Sequence, residues 1–74
     1  MTKTLTGIQK VFLMDAARGL TAAESARKHH TNEDTARNAL KAVRQKLGAL
    51  NTTHAVVLSL HLGLIGYPDH LEGN

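Results

Sequence analysis

The chain has 74 residues, no cysteine, and nine Lys and Arg against six Asp and Glu. That length holds one domain, residues 1–74, with a small core, and the lack of thiols excludes a disulfide framework or a thiolate metal site. All nine cations lie between Lys3 and Lys46; against four acids they give residues 1–50 a net charge of +5, while the remainder carries −2. A basic body of this kind suits a polyanion, although a merely solvated surface has the same composition.

A hydrophobic fraction of 42% belongs to globular rather than disordered chains. The longest apolar stretch, Ala55 to Ile65, is interrupted by Ser59, His61 and Gly63 and is too short to span a bilayer. No apolar run with a cleavage site follows Lys3, so no secretory leader is expected.

Start and stop signals predict four helices, at about 6–18, 22–29, 33–47 and 52–62, and no strands. Thr6 with Gln9 and Thr21 with Glu24 have the capping-box spacing, in which a hydroxyl accepts from the third amide and the acid or amide side chain reaches back. Asn32 precedes Glu33 and Asp34, which suit the positive end of a helix dipole, and Asn51 opens the last helix in the same way. Gly19, Gly48 and Gly63 mark helix ends, and Pro68 forbids continuation. A short helix, a tight turn around His30 to Asn32 and a longer polar-faced helix form a helix-turn-helix outline, which many helical hairpins share.

Turning about 100° per residue splits the third helix into two faces. Ala36, Ala39, Leu40, Val43 and Leu47 gather on a core face; Arg37, Asn38, Lys41, Arg44 and Gln45 gather on the other, joined by Asp34. Arg can bond guanine O6 and N7 together, Asn and Gln can do the same to adenine, and Lys and Arg neutralise phosphates. A solvated face more often mixes charge signs at i,i+4, and Lys41, Arg44 and Lys46 have no acid four residues upstream. In the fourth helix, apolar residues from Ala55 to Ile65 wrap nearly the whole circumference. One side can cover the three-helix core; the other needs a second copy, the tail, or enclosure by the domain itself.

Taken in register from Leu5 to Ile65, the chain resembles the LuxR/GerE-type helix-turn-helix domain also found at the ends of NarL-type response regulators. The resemblance rests on Leu5-Thr6, on Gly19-Leu20-Thr21 with Glu24 and Ala26, on Thr35, Arg37 and Leu40, on Lys46-Leu47-Gly48, and on Ala55-Val56 with Gly63-Leu64-Ile65. It implies an all-α, four-helix fold over residues 5–65, with a three-helix core and a C-terminal dimerisation helix, followed by a tail at 66–74. It also implies double-stranded DNA as partner, transcription regulation, and a cytoplasmic protein of bacteria or their phages. The base-reading positions of the family fall on Arg37, Asn38 and Lys41, and a phosphate contact falls on Thr35. Thr21, Asn32, Arg44 and Lys46 join Thr35 as expected phosphate contacts, and Val56, Val57, Leu60 and Leu64 as the expected dimer contacts.

The chain departs from the family where aliphatic residues are usual, at Ser25, His29, Thr31 and Ala36. These departures predict a weakened seam between the second and third helices, relieved by hydrogen bonding at His29. Ile8-Gln9 replaces an Arg-Glu pair of the family and removes an ion-pairing acid.

Five histidines raise the question of a metal, but the rings of His29 and His30 diverge on a helix, and His61, Asp69 and His70 complete no ligand set, so neither metal nor cofactor is expected. No nucleophile–base pattern or phosphate loop suggests an enzyme. The expected function is a stand-alone, sequence-specific DNA-binding regulator acting as a homodimer. The alternative is a protein-interaction module that binds another regulator or RNA polymerase through its apolar fourth helix.

Overall fold

The computed structural model describes residues 4–66. Pro68, Asp69 and His70 lie outside them.

Four helices follow in order: α1 (Gly7–Ala17), α2 (Ala22–Lys28), α3 (Glu33–Leu47) and α4 (Thr52–His61). No strand occurs among the described residues, and no helix is long and apolar enough to cross a membrane. Each helix starts where a polar side chain takes an orphan amide. The Thr6 hydroxyl accepts from the Gln9 amide at 3.2 Å while the Thr6 amide donates to Gln9 Oε1 at 3.0 Å. Thr21 and Glu24 repeat this at 3.1 and 2.8 Å. Asn32 and Asn51 accept from Thr35 and His54. Residues 6, 18, 29 and 62, placed within helices by the sequence pattern, are the caps of those helices.

Left-handed residues stop the chain. Gly19, Gly48 and Gly63 have φ of 93°, 66° and 74°. At the end of α2 the same conformation falls on His30, with φ 57°. Its amide donates to the Arg27 carbonyl at 3.2 Å and the next amide, of Thr31, to the Ala26 carbonyl at 2.9 Å. This is a Schellman closure built without glycine. It turns the chain sharply between α2 and α3.

Phe12 and Leu13 of α1, Ala26 of α2, Ala36, Ala39, Leu40, Val43 and Leu47 of α3, and Ala55 of α4 form the core, closed by Leu5 and Ile65. On α3 these buried positions are the apolar face predicted from its periodicity. α2 and α4 sit apart, each packed on α1 and α3, and α2 makes its most extensive contact with α3.

Two of the residues expected to weaken the seam between α2 and α3 bond to α1 instead. Ala26 and Ala36 are fully buried, so small side chains permit close approach of the helices. Ser25 and His29 turn away from that seam toward α1, where both bond to Asp15. Hydrogen bonding by His29 does occur, with a partner that the sequence pattern did not indicate.

α4 is not enclosed on every side. Ala55 and Ser59 are fully buried, and Val56, Leu58, Leu60 and Leu64 pack against the core, but Val57 is 56% and Leu62 51% exposed. The Ser59 hydroxyl has no hydrogen-bond partner.

Candidate nucleic-acid interface

Arg37, Asn38, Lys41 and Gln45 are all exposed, on the side of α3 away from the core. The geometry follows from the caps. Asn32 Oδ1 accepts from both the Thr35 amide and the Thr35 hydroxyl at 2.9 Å, which fixes where the first turn begins and so which residues face outward. That pairing consumes the Thr35 hydroxyl proton and leaves the Asn32 amide nitrogen as the donor available to a phosphate.

Five of the eight residues predicted to meet DNA border one concavity of about 490 Å³: Thr21, Arg37, Asn38, Lys41 and Arg44. Thr21 comes from the start of α2 and the others from α3, so the hollow bridges these two helices. Lys41 and Arg44 also border a second hollow of about 430 Å³ with Gln45 and Gly48, which continues the surface along α3. Asn32 and Thr35 stand at the N-terminal end of the same helix.

The charges are not all free. The Arg37 guanidinium pairs with the Glu33 carboxylate one turn earlier, although Arg37 stays 67% exposed. Arg44 donates to Thr52 Oγ1 at 3.2 Å, tying α3 to the start of α4. Lys46 points elsewhere: its ammonium bonds the Thr4 carbonyl and Gln9 Oε1, both at 2.9 Å. Gln9 thus serves two ends at once, capping α1 and holding the last turn of α3. The structure brings Lys46 to the N-terminus of α1, away from the residues bordering the two hollows.

Thr52 is a member of this surface that the sequence pattern missed; only its position in α4 against α3 reveals it. At the start of α2, the Thr21 amide and then the Thr21 side chain hold the Glu24 carboxyl below its ordinary range. The cap that sets one wall of the hollow is therefore ionised at neutral pH.

Between α1 and α2 lies a residue with no predicted role. Asp15, in the last turn of α1, is only 1% exposed. Its Oδ2 accepts from Ser25 Oγ at 2.7 Å and from His29 Nε2 at 2.8 Å. Its Oδ1 accepts from Lys28 Nζ at 3.0 Å and Arg18 at 3.3 Å. Burial pushes the Asp15 carboxyl up, but the bonds from Ser25, Lys28 and His29 and the Lys28 charge outweigh it and hold the carboxyl down at about 2. The His29 ring also meets the Phe12 ring edge to face, with centroids 5.7 Å apart. One carboxylate therefore fixes the outer side of α2, while its inner side rests on α3.

The four predicted dimer contacts do not share one environment. Val57 is exposed; Val56, Leu60 and Leu64 are half-buried against the core. Among the described residues no group of three or more His, Asp or Glu is placed to hold a metal ion. No family model and no curated protein matches the chain.

Proposed function

We propose that the chain is a LuxR/GerE-type helix-turn-helix domain that binds double-stranded DNA sequence-specifically and regulates transcription in the bacterial or phage-infected cytoplasm. The observation that carries this reading is the convergence of Thr21, Arg37, Asn38, Lys41 and Arg44 on one hollow across α2 and α3. In it α3 lies in the major groove. Arg37, Asn38 and Lys41 meet base edges, while Arg44, Thr21, Asn32 and Thr35 meet the backbone. Glu33 must release Arg37, or share it, when a guanine is bound; an exposed pair of this kind costs about 1 kcal/mol or less to open.

Two copies would join through α4, with Val57 central and Val56, Leu60 and Leu64 beside it, and would read half-sites about 10 base pairs apart. Exposed Val57, Leu62 and Leu50 favour a second reading, in which this apolar face binds another regulator or RNA polymerase.

The test is fluorescence anisotropy on duplexes enriched by selection, at several salt concentrations. Lys41→Ala is expected to weaken binding by about 1–3 kcal/mol and Arg37→Ala to relax base preference at one position. Binding without sequence preference that neither substitution alters excludes the assignment of α3. Sedimentation of Val57→Asp beside the unsubstituted chain tests the dimer.

A further inference from the structure

A third hollow bordered by cations lies on another part of the surface, between α1 and the outer side of α2. Its volume is about 270 Å³, and it is lined by Lys10, Arg18 and Lys28, by Val11 and Met14, and by Asp15 and His29. Three cations thus face one carboxylate. Asp15 is buried and spends its charge within the fold, yet it occupies only part of its partners. Lys28 has three N–H donors and gives one to Asp15; Arg18 has five and gives one. Lys28 remains 49% exposed, and the Lys10 side chain has no partner among the described residues. Unspent donors and a net positive charge therefore stand around the hollow.

Part of its lining is apolar. Val11 is exposed, Met14 is half-buried, and Ile8, one turn before Val11, is exposed as well. A methionine adapts to side chains of varied shape. At about 100° per residue, Val11, Met14 and Arg18 lie well round α1 from Ala16, which borders the α3 hollow. A partner seated here leaves α3 free.

We infer that this hollow docks an acidic peptide segment of another protein, with carboxylates on Lys10, Arg18 and Lys28 and an aliphatic or aromatic side chain on Val11 and Met14. Charge complementarity selects the sign of the partner, and apolar Val11 and Met14 in the lining select its class. A phosphate backbone supplies charge but nothing to cover Ile8, Val11 and Met14. The surface is independent of the proposed DNA face and does not depend on it.

The probe is a synthetic peptide in which Asp and Glu flank a Leu-Phe pair, titrated into the isotope-labelled chain and followed by backbone amide shifts. A peptide with Ser in place of Leu and Phe, and a short DNA duplex, are run beside it. Shifts should centre on Lys10, Val11, Met14 and Lys28, and the Ser peptide should bind markedly more weakly. Lys10→Glu, at a side chain bonded to nothing else described, should weaken binding about threefold to tenfold while leaving circular dichroism unchanged. Equal binding of the two peptides, or shifts centred on Arg37, Lys41 and Arg44, overturns the proposal. Groove shifts caused by the duplex, with displacement of the peptide, overturn it in favour of a nucleic-acid surface.

Discussion

Replacing Asp15 with Asn removes one charge and almost no volume, so it isolates what the buried carboxylate contributes. Between an ordinary value of 3.8 and about 2 in the fold, the depressed titration is worth about 2 kcal/mol. A chain of this length has only about 4–11 kcal/mol of stability in all. The amide cannot reproduce the site, because its oxygen serves one side while its NH₂ faces donors on the other. Turned toward Ser25 and His29, the NH₂ can still be accepted by a rotated hydroxyl or by the other imidazole tautomer, which limits the loss. Lys28 and Arg18 can reach water.

D15N is therefore expected to lose about 2 kcal/mol at neutral pH, read from urea unfolding followed by far-UV circular dichroism. The folded carboxyl titrates below the unfolded one. Its contribution is thus complete above about pH 4 and fades as pH falls toward about 2. The gap between D15N and the unsubstituted chain should narrow over that window, and the difference between the two curves removes the other carboxylates from view. Equal stability at neutral pH, or a deficit that does not narrow in acid, refutes the reasoning.

His30→Gly should stabilise the fold by about 1 kcal/mol, because a side chain at φ 57° costs more than glycine's added freedom in the unfolded chain. Thermal unfolding should shift upward by about 4–8 °C, and a downward shift contradicts the Schellman assignment. Ser59→Ala should also stabilise, by about 1 kcal/mol, since it removes a buried hydroxyl without a partner and favours the helix. A lower urea midpoint would show that Ser59 is bonded after all.

The helices were legible because their ends are written locally. Thr6, Thr21, Asn32 and Asn51 are caps, and the residues that separate expected from observed boundaries are cap positions themselves. The core face of α3 was legible because a 3.6-residue repeat survives any tertiary arrangement. Asp15 was not. An acid in the last turn opposes the helix dipole, which hints at a partner, but that its partners are Ser25, Lys28 and His29 depends on how α2 folds back. Helical periodicity alone therefore does not show that Ser25 and His29 face α1 rather than α3. His30 carries no local sign of its left-handed backbone, since nothing in its chemistry demands it. Lys46 shares helix and charge with Lys41, and only the return of α3 to the start of α1 separates their surroundings.

The Asp15 cluster also bears on how the chain reaches its fold. Its α2 partners lie 10, 13 and 14 residues along the chain. The entropy of closing a loop rises with its length, so these are inexpensive contacts to form. Lys46, by contrast, must find Gln9 across 37 residues. α2, at seven residues, is too short to persist alone in water. Early tertiary structure should therefore be local, an α1–α2 hairpin clasped by one carboxylate with α2 turned onto α3, and the return of α3 to the start of α1 and the docking of α4 should follow. Substitutions at Asp15 would then slow folding itself, whereas substitutions in α4 would act mainly by hastening unfolding.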